Sequence, residues 1–235
     1  MSCAGAKLVD AMNQIESLAL FPLSDVVLLP EVSVPLYIFE PRYRQMTRDA
    51  LAGAHEIGMV TVRPDSVQSM ADDPPIFGIG CLGRIAHAQE RADGSFQIML
   101  LGESRFRILE EQVRDGERLY RSARVELLPE NEPRTTSELE AIQRTRNVIL
   151  TLLEQLVRRI GASDDPSKAR EAFARLESTR LVNALTQSIA FSPIERQQLL
   201  EAESILGRFE TMADLLRFRL AEPISGESGS SNLPN

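Results

Sequence analysis

The hydrophobic period of this chain turns from mostly strand-like to helical after Pro129, and that change limits the fold more than any other feature. From Leu18 to Leu128 the apolar residues form short alternating runs broken by Pro, Gly, Asp and Glu, the pattern of strands. Beyond Pro129 they recur at steps of three and four as far as residue 220, the spacing of helix faces. A sheet-forming part followed by a helix-forming part reads as an α+β fold rather than as alternating βα units.

The first part divides into segments Leu18–Phe21, Val26–Leu29, Val34–Ile38, Ile57–Val62, Ile76–Ile85, Phe96–Leu101, Phe106–Val113 and Leu119–Leu128. Gly78, Gly80 and Gly83 within one of them predict sharp bends or bulges, as a curved or closed barrel requires. Asp93-Gly94 and Asp115-Gly116 are hairpin turn signals. One helix interrupts the strands. Pro41 fits a first helical position, Tyr43, Met46, Thr47, Ala50 and Leu51 share a face, and Glu40 suits the positive helix end.

In the second part, Pro133 opens a long helix stopped by Gly161, and Asp164-Asp165-Pro166 starts a shorter one. Leu181, Val182, Leu185 and Ile189 mark a third. Ser192-Pro193-Ile194-Glu195 is a capping box with Pro at the first helical position. Behind it, Leu199, Ala202, Leu206, Phe209, Ala213, Leu216 and Leu220 form a seam for packing against another helix, with Gly207 the expected break. The expected organisation is a loose lead-in over 1–16, a β-barrel subdomain over 17–130, a helical bundle over 131–222 and a disordered tail over 223–235.

Charge and cysteine content remove several functional classes. Net charge is −8, and residues 1–130 hold 13 basic against 19 acidic side chains, with no basic stripe for a nucleic-acid backbone. No stretch approaches a membrane span or a signal peptide, and Cys3 and Cys81 do not suggest a disulfide scaffold. A reducing cytoplasm is the expected setting. Apolar residues are 43% of the chain but aromatic ones only 5%, so Leu, Ile and Val must build the core.

No catalytic set assembles. Gly102-Glu103-Ser104 resembles part of a nucleophile elbow, but a strand pattern follows it instead of a helix. Ser167-Lys168 are adjacent on a helix and point apart. His55-Glu56 lacks a second His at ligand spacing, no Cys pair has such spacing, and no glycine-rich loop precedes Lys-Ser or Lys-Thr. The expectation is a non-enzyme with no metal and no cofactor.

One run remains unusual. Pro35-Leu36-Tyr37-Ile38-Phe39-Glu40-Pro41-Arg42-Tyr43-Arg44 turns a strand into a helix within a few residues. On one reading Tyr37 and Phe39 pack, Glu40 caps and Arg42 is solvated or paired. On the other the turn walls a groove for extended peptide, with Tyr43, Arg42 and Arg44 at its rim. Arg105 and Arg107 alternate with Phe106 and Ile108, and so share a strand face, as solvated surface or as further contacts.

Several of these motifs, in order, resemble one family. Phe21-Pro22-Leu23, Val26-Val27-Leu28-Leu29-Pro30 and the Pro35–Tyr43 run are similar to the opening of the Lon protease amino-terminal domain. Gly80-Cys81-Leu82-Gly83-Arg84-Ile85, Gly102–Ile108 and the capped Ser192–Leu200 segment are similar to its later parts. The resemblance implies a six-stranded PUA-like pseudo-barrel joined to a helical bundle. It also implies a free-standing substrate-binding module without ATPase or peptidase domains, whose partners are unfolded or extended polypeptides. An adaptor or chaperone-like factor is the expected role; an RNA-binding PUA-like protein and a small hydrolase are the alternatives. Oligomeric state stays open, a dimer included.

Overall fold

A computed structural model describes residues 13–64, 73–114, 116–130, 133, 135–161 and 165–222. Most of the lead-in, the tail, and the turn positions Asp115 and Asp164 lie outside the described residues. Two compact units result, one of residues 1–132 with 183–204, the other of residues 133–182 with 205–235. Asn183–Ser204 is grouped with the sheet rather than with the other helices.

In the first unit, strands β1 (Gln14–Leu23), β2 (Ser33–Ile38), β3 (Glu56–Thr61), β4 (Ile79–Glu90), β5 (Phe96–Glu111) and β6 (Arg121–Leu128) form one mixed sheet. Their order is β2-β5-β4-β3-β1-β6, with a further β5–β6 pairing. Among the described strands only β1 and β3 run parallel. The length of β5 explains the curl. Residues Phe96–Leu101 pair with β2, and Arg105–Glu111 pair with β6 along the same edge. The sheet therefore bends round into a pseudo-barrel at one end of β5, while β2 stays outside as an edge strand.

Two expected strands, Phe96–Leu101 and Phe106–Val113, are thus one continuous strand ending at Glu111. Val26–Leu29 is not a strand. Val27, Leu28 and Leu29 are 7%, 1% and 2% exposed, so this segment fills the core without joining a ladder. Conversely β1 starts at Gln14, inside the expected lead-in. The register shift at Ile85/His87 places a bulge in β4 at Ala86, whereas the shift at Leu82/Gly83 leaves its extra residue, Glu103, on β5. Gly80 serves close packing instead: a Cβ there would lie 2.5 Å from the Phe106 ring and 2.6 Å from the Met59 carbonyl.

Helix α1 (Pro41–Ala52) begins at Pro41 as expected and buries Tyr43, Met46 and Thr47. In the second unit, α2 (Thr136–Ile160) starts three residues after Pro133, because Thr135 and Glu138 form a capping box, and ends at Gly161 with φ 63°. Helix α3 (Pro166–Ala174) follows, with Asp165 as its N-cap. Helix α4 (Ser178–Ser188) contains the boundary between the units. Helix α5 (Pro193–Glu201) belongs to the first unit and α6 (Ile205–Ala221) to the second. The seam breaks at Ala202–Ser204, and Gly207 lies inside α6.

Polar side chains fix α5 to the sheet. Gln197, 1% exposed, donates to the Ile79 carbonyl at 3.0 Å and accepts from the Thr61 hydroxyl at 2.7 Å. Asn183 donates to the Pro30 carbonyl at 2.8 Å. The Ser192 cap accepts from the Glu195 N–H at 3.3 Å, and Glu195 accepts from the Ser192 N–H at 2.6 Å. Ser192→Ala should therefore lower stability by about 1 kcal/mol, measured as a shifted urea midpoint at unchanged m-value.

Candidate functional site

Exposure separates the residues of the Pro35–Arg44 run. Tyr37 is 49% exposed and Phe39 62%, with rings stacked at 6.0 Å between centroids. The Arg91 guanidinium lies over the Tyr37 ring at 5.6 Å. Exposed aromatic rings held against each other by neighbours are preformed apolar surface, and little side-chain entropy remains to be lost on binding.

Strand register extends this surface. Pro35 faces Met99, which faces His87; Tyr37 faces Gln97, which faces Gln89. These two cross-strand rows bound a shallow groove of about 340 Å³. Its lining is mostly apolar and amide, with no carboxylate.

Tyr43 is elsewhere. It is 5% exposed and packs on Phe21 at 4.6 Å between ring centroids, so it belongs to the core and not to a rim. Burial holds its phenol above the ordinary tyrosine range, an effect that Arg42 opposes, so the ring stays neutral. Arg42 pairs with Glu40 at 2.9 Å and covers the Tyr43 ring at 4.6 Å. The Arg44 side chain reaches the turn at Gly94, where its guanidinium occupies the space a Cβ would need. Arg48, which the sequence did not single out, pairs with Glu90 at 3.0 Å. The arginines thus brace the turn beside the aromatic pair.

Arg105 and Arg107 do share a face, since both line a second pocket with Ile79, Leu128, Glu201 and Glu203. Their roles differ. Arg107 is half-exposed and pairs with Glu126 at 3.0 Å. Arg105 is 3% exposed and donates to the carbonyls of Leu200 at 3.2 Å and Ala202 at 2.5 Å, at the end of α5. It also donates to Glu203 and lies 3.4 Å from a Glu130 carboxylate oxygen. Arg105 is a buried structural cation rather than solvated surface.

The weak catalytic matches fall into structural roles. Ser104 lies within β5, not at a strand-to-helix turn, and donates to the Arg105 carbonyl at 3.2 Å. Ser167 and Lys168 both contact Asp165, the α3 cap. Cys81 is fully buried and forms no disulfide. Among the described residues no helix is long and apolar enough to cross a membrane, and no three His, Cys, Asp or Glu side chains gather to hold a metal.

Sequence reasoning singled out Tyr37 and Phe39 but not the other residues that line the groove. The Asp93-Gly94 turn carried part of the missing signal. A hairpin centred there sets Gln89 opposite Gln97 and His87 opposite Met99. The contribution of β2 depends on a pairing between distant segments and had no local signal.

Comparison with known proteins agrees with this architecture. Over residues 17–217 the chain matches the model of the ATP-dependent protease La (LON) substrate-binding domain. It is 30% identical over 219 residues to a Lon protease of Flavobacterium johnsoniae, covering 91% of this chain and 25% of that protein. Lon protease 2 of Syntrophobacter fumaroxidans is 27% identical over 187 residues, covering 79% of this chain and 22% of that protein. The chain thus spans about a quarter of the length of the curated relatives it matches. The N-terminal domain of Mycobacterium avium complex Lon protease aligns over 86% of this chain and 98% of its own, with TM-score 0.62 and 19% identity. A Lon N-terminal domain protein from Xanthomonas campestris aligns over 87% and 99%, with TM-score 0.56 and 24% identity, so the fold is shared with both. With the model matched from the first strand to the last helix, this chain belongs to the Lon substrate-binding domain family.

Proposed function

We propose that this chain is a non-catalytic module that binds unfolded or extended polypeptides, as an adaptor or chaperone-like factor. The single observation that carries the reading is the stacked Tyr37–Phe39 pair, open to solvent beside the Pro35–Met99–His87 groove. The family supports it, because the relatives are proteases whose matching region is named for substrate binding. Apolar side chains exposed by unfolding are the chemistry that such a surface takes up. The reading places the module in a reducing cytoplasm, where a buried thiol such as that of Cys81 persists. The acidic balance of residues 1–130 works against a nucleic-acid ligand.

The test is binding of a reduced, alkylated and permanently unfolded protein, followed by fluorescence anisotropy. We expect a Kd of tens of micromolar or tighter. Tyr37→Ser combined with Phe39→Ser should weaken it at least about tenfold, because exposed aromatic anchors carry a large share of such affinity. The same variant should unfold at nearly the wild-type urea concentration, since neither ring is buried. Unchanged binding by the double variant would remove the support for this surface.

A further inference from the structure

We propose that the free edge of β2 takes up the extended polypeptide as an added β-strand, with an acidic residue of that polypeptide seated at Arg91. This rests on the polypeptide-binding reading and specifies its backbone geometry.

The alternation of hydrogen bonds along β2 is set by its first contact with β5. The Gly102 N–H donates to the Val32 carbonyl at 2.9 Å. In an antiparallel ladder, bonded and non-bonded pairs then alternate. Val34, Leu36 and Ile38 therefore turn their backbone groups toward β5, while Ser33, Pro35 and Tyr37 turn theirs away. Since β2 ends the strand order, those outward groups face no other strand among the described residues. Ser33, Pro35 and Tyr37 are all exposed, and the outward N–H groups of Ser33 and Tyr37 find no acceptor among the described residues. Pro35 fits an outward position, because it costs the β5 ladder nothing.

An exposed edge of this kind could also pair with a second copy, and Pro35 opposes that. Self-pairing centred on Pro35 sets two prolines opposite each other, so each Pro35 carbonyl meets a ring nitrogen that carries no hydrogen. A foreign strand loses only one bond there, because its own N–H can still reach the Pro35 carbonyl. Edge prolines hinder self-association in this way while leaving the edge open to a chosen partner.

Charge gives the second half of the assignment. Arg42 and Arg48 near the turn already hold Glu40 and Glu90. Arg91 lies over Tyr37 and has no ion pair among the described residues. It is a positioned cation, beside the exposed aromatic pair, on a chain whose net charge is −8. A strand added along β2 passes Tyr37, so its side chain at that level meets Arg91. The groove beside Pro35 and Met99 favours an apolar neighbour.

The experiment uses the full chain and a fluorescent peptide of about ten residues, alternating valine and threonine around one glutamate. Each peptide amide is methylated in turn. Methyl groups on the alternate amides that face β2 should weaken binding about tenfold, and those between should change it less than about twofold. Replacing the glutamate by glutamine should weaken it severalfold, an effect that Arg91→Gln removes. Hydrogen exchange gives an independent reading without any variant: the Ser33 and Tyr37 amides should gain protection when peptide is added. Methylation that matters equally everywhere, with no new protection, would overturn the added strand and leave binding to the aromatic face intact. Failure of both this peptide and the unfolded protein to bind would remove both proposals. Protection of the same amides by self-association, without peptide, would assign the edge to a second copy instead.

Discussion

Arg105→Met should destabilise the protein by about 3–5 kcal/mol, the largest effect of any single change considered, although Arg105 sits in what reads as an ordinary surface alternation. Its guanidinium is 3% exposed and donates to three backbone carbonyls at and beyond the end of α5. A helix ends with carbonyls that no helical N–H can reach, and burying them unpaired costs about 1–3 kcal/mol each. Methionine fills the space of the stem and supplies no donor. It also removes the ion pair between residue 105 and Glu130. Lysine should recover only part of the loss, because one ammonium cannot reproduce the fork that spans Leu200, Ala202 and Glu203. Arg107→Ala is the control. That side chain is half-exposed with a single surface ion pair, so its loss should cost less than about 0.5 kcal/mol. Urea unfolding of the three variants separates the two arginines. Equal effects at 105 and 107 would contradict the assignment of Arg105 to the core.

Gly102→Ala should cost about 3 kcal/mol or more, for a steric reason. A Cβ at Gly102 would lie 2.1 Å from the Leu29 carbonyl oxygen and 2.9 Å from its carbon. Both are backbone atoms, so no rotamer change relieves the clash. Displacement is costly, because the Gly102 N–H donates to Val32 and its carbonyl accepts from Glu31, both at close to 2.9 Å. Those bonds anchor the start of β2 and the buried Val27–Leu29 segment. The substitution should therefore lower the melting temperature by several degrees and loosen β2 in hydrogen exchange. At Gly78 nothing lies within 4 Å of an added Cβ, and Gly78→Ala should be nearly neutral.

These two positions also show where sequence reading succeeds and where it stops. Local chemistry was legible: the Ser192 capping box, Pro41 at a helix start, Gly161 at a helix end and the Asp93-Gly94 hairpin all act within a few residues of themselves. Binary patterning recovered most strands for the same reason. It misassigned Val26–Leu29, because an apolar run bounded by Asp and Pro reads alike whether it joins a ladder or only fills the core. The division of Phe96–Glu111 into two strands arose from Gly102 and Glu103, which interrupt the alternation, while the chain bends there and continues. Neither the parallel β1–β3 pair nor the placement of β2 beside β5 has a local signature, since both join distant segments.

The candidate site divides in the same way. Tyr37 and Phe39 stood out because aromatic residues are scarce in this chain and cluster at a strand-to-helix turn. Tyr43 belonged to the same cluster, but its position on the buried face of α1 takes it into the core. The alternation of Arg105 and Arg107 placed them on one face and said nothing of what covers that face. Only α5, about a hundred residues onward, makes one arginine structural and leaves the other in solvent.

The central claim is that polypeptide binds at the Tyr37–Phe39 corner, and backbone NMR of the isotopically labelled chain tests it most directly. Titration with a permanently unfolded protein should first shift or broaden the amide signals of Tyr37, His87, Gln97 and Met99, in paired rows of the sheet, and of Phe39 just after β2. Leu139, Ile160 and Phe218 are also exposed apolar residues, on α2 and α6 of the second unit, and should stay unperturbed at the same concentrations. Perturbation centred on those helical residues, with the Tyr37–Phe39 corner silent, would contradict the account.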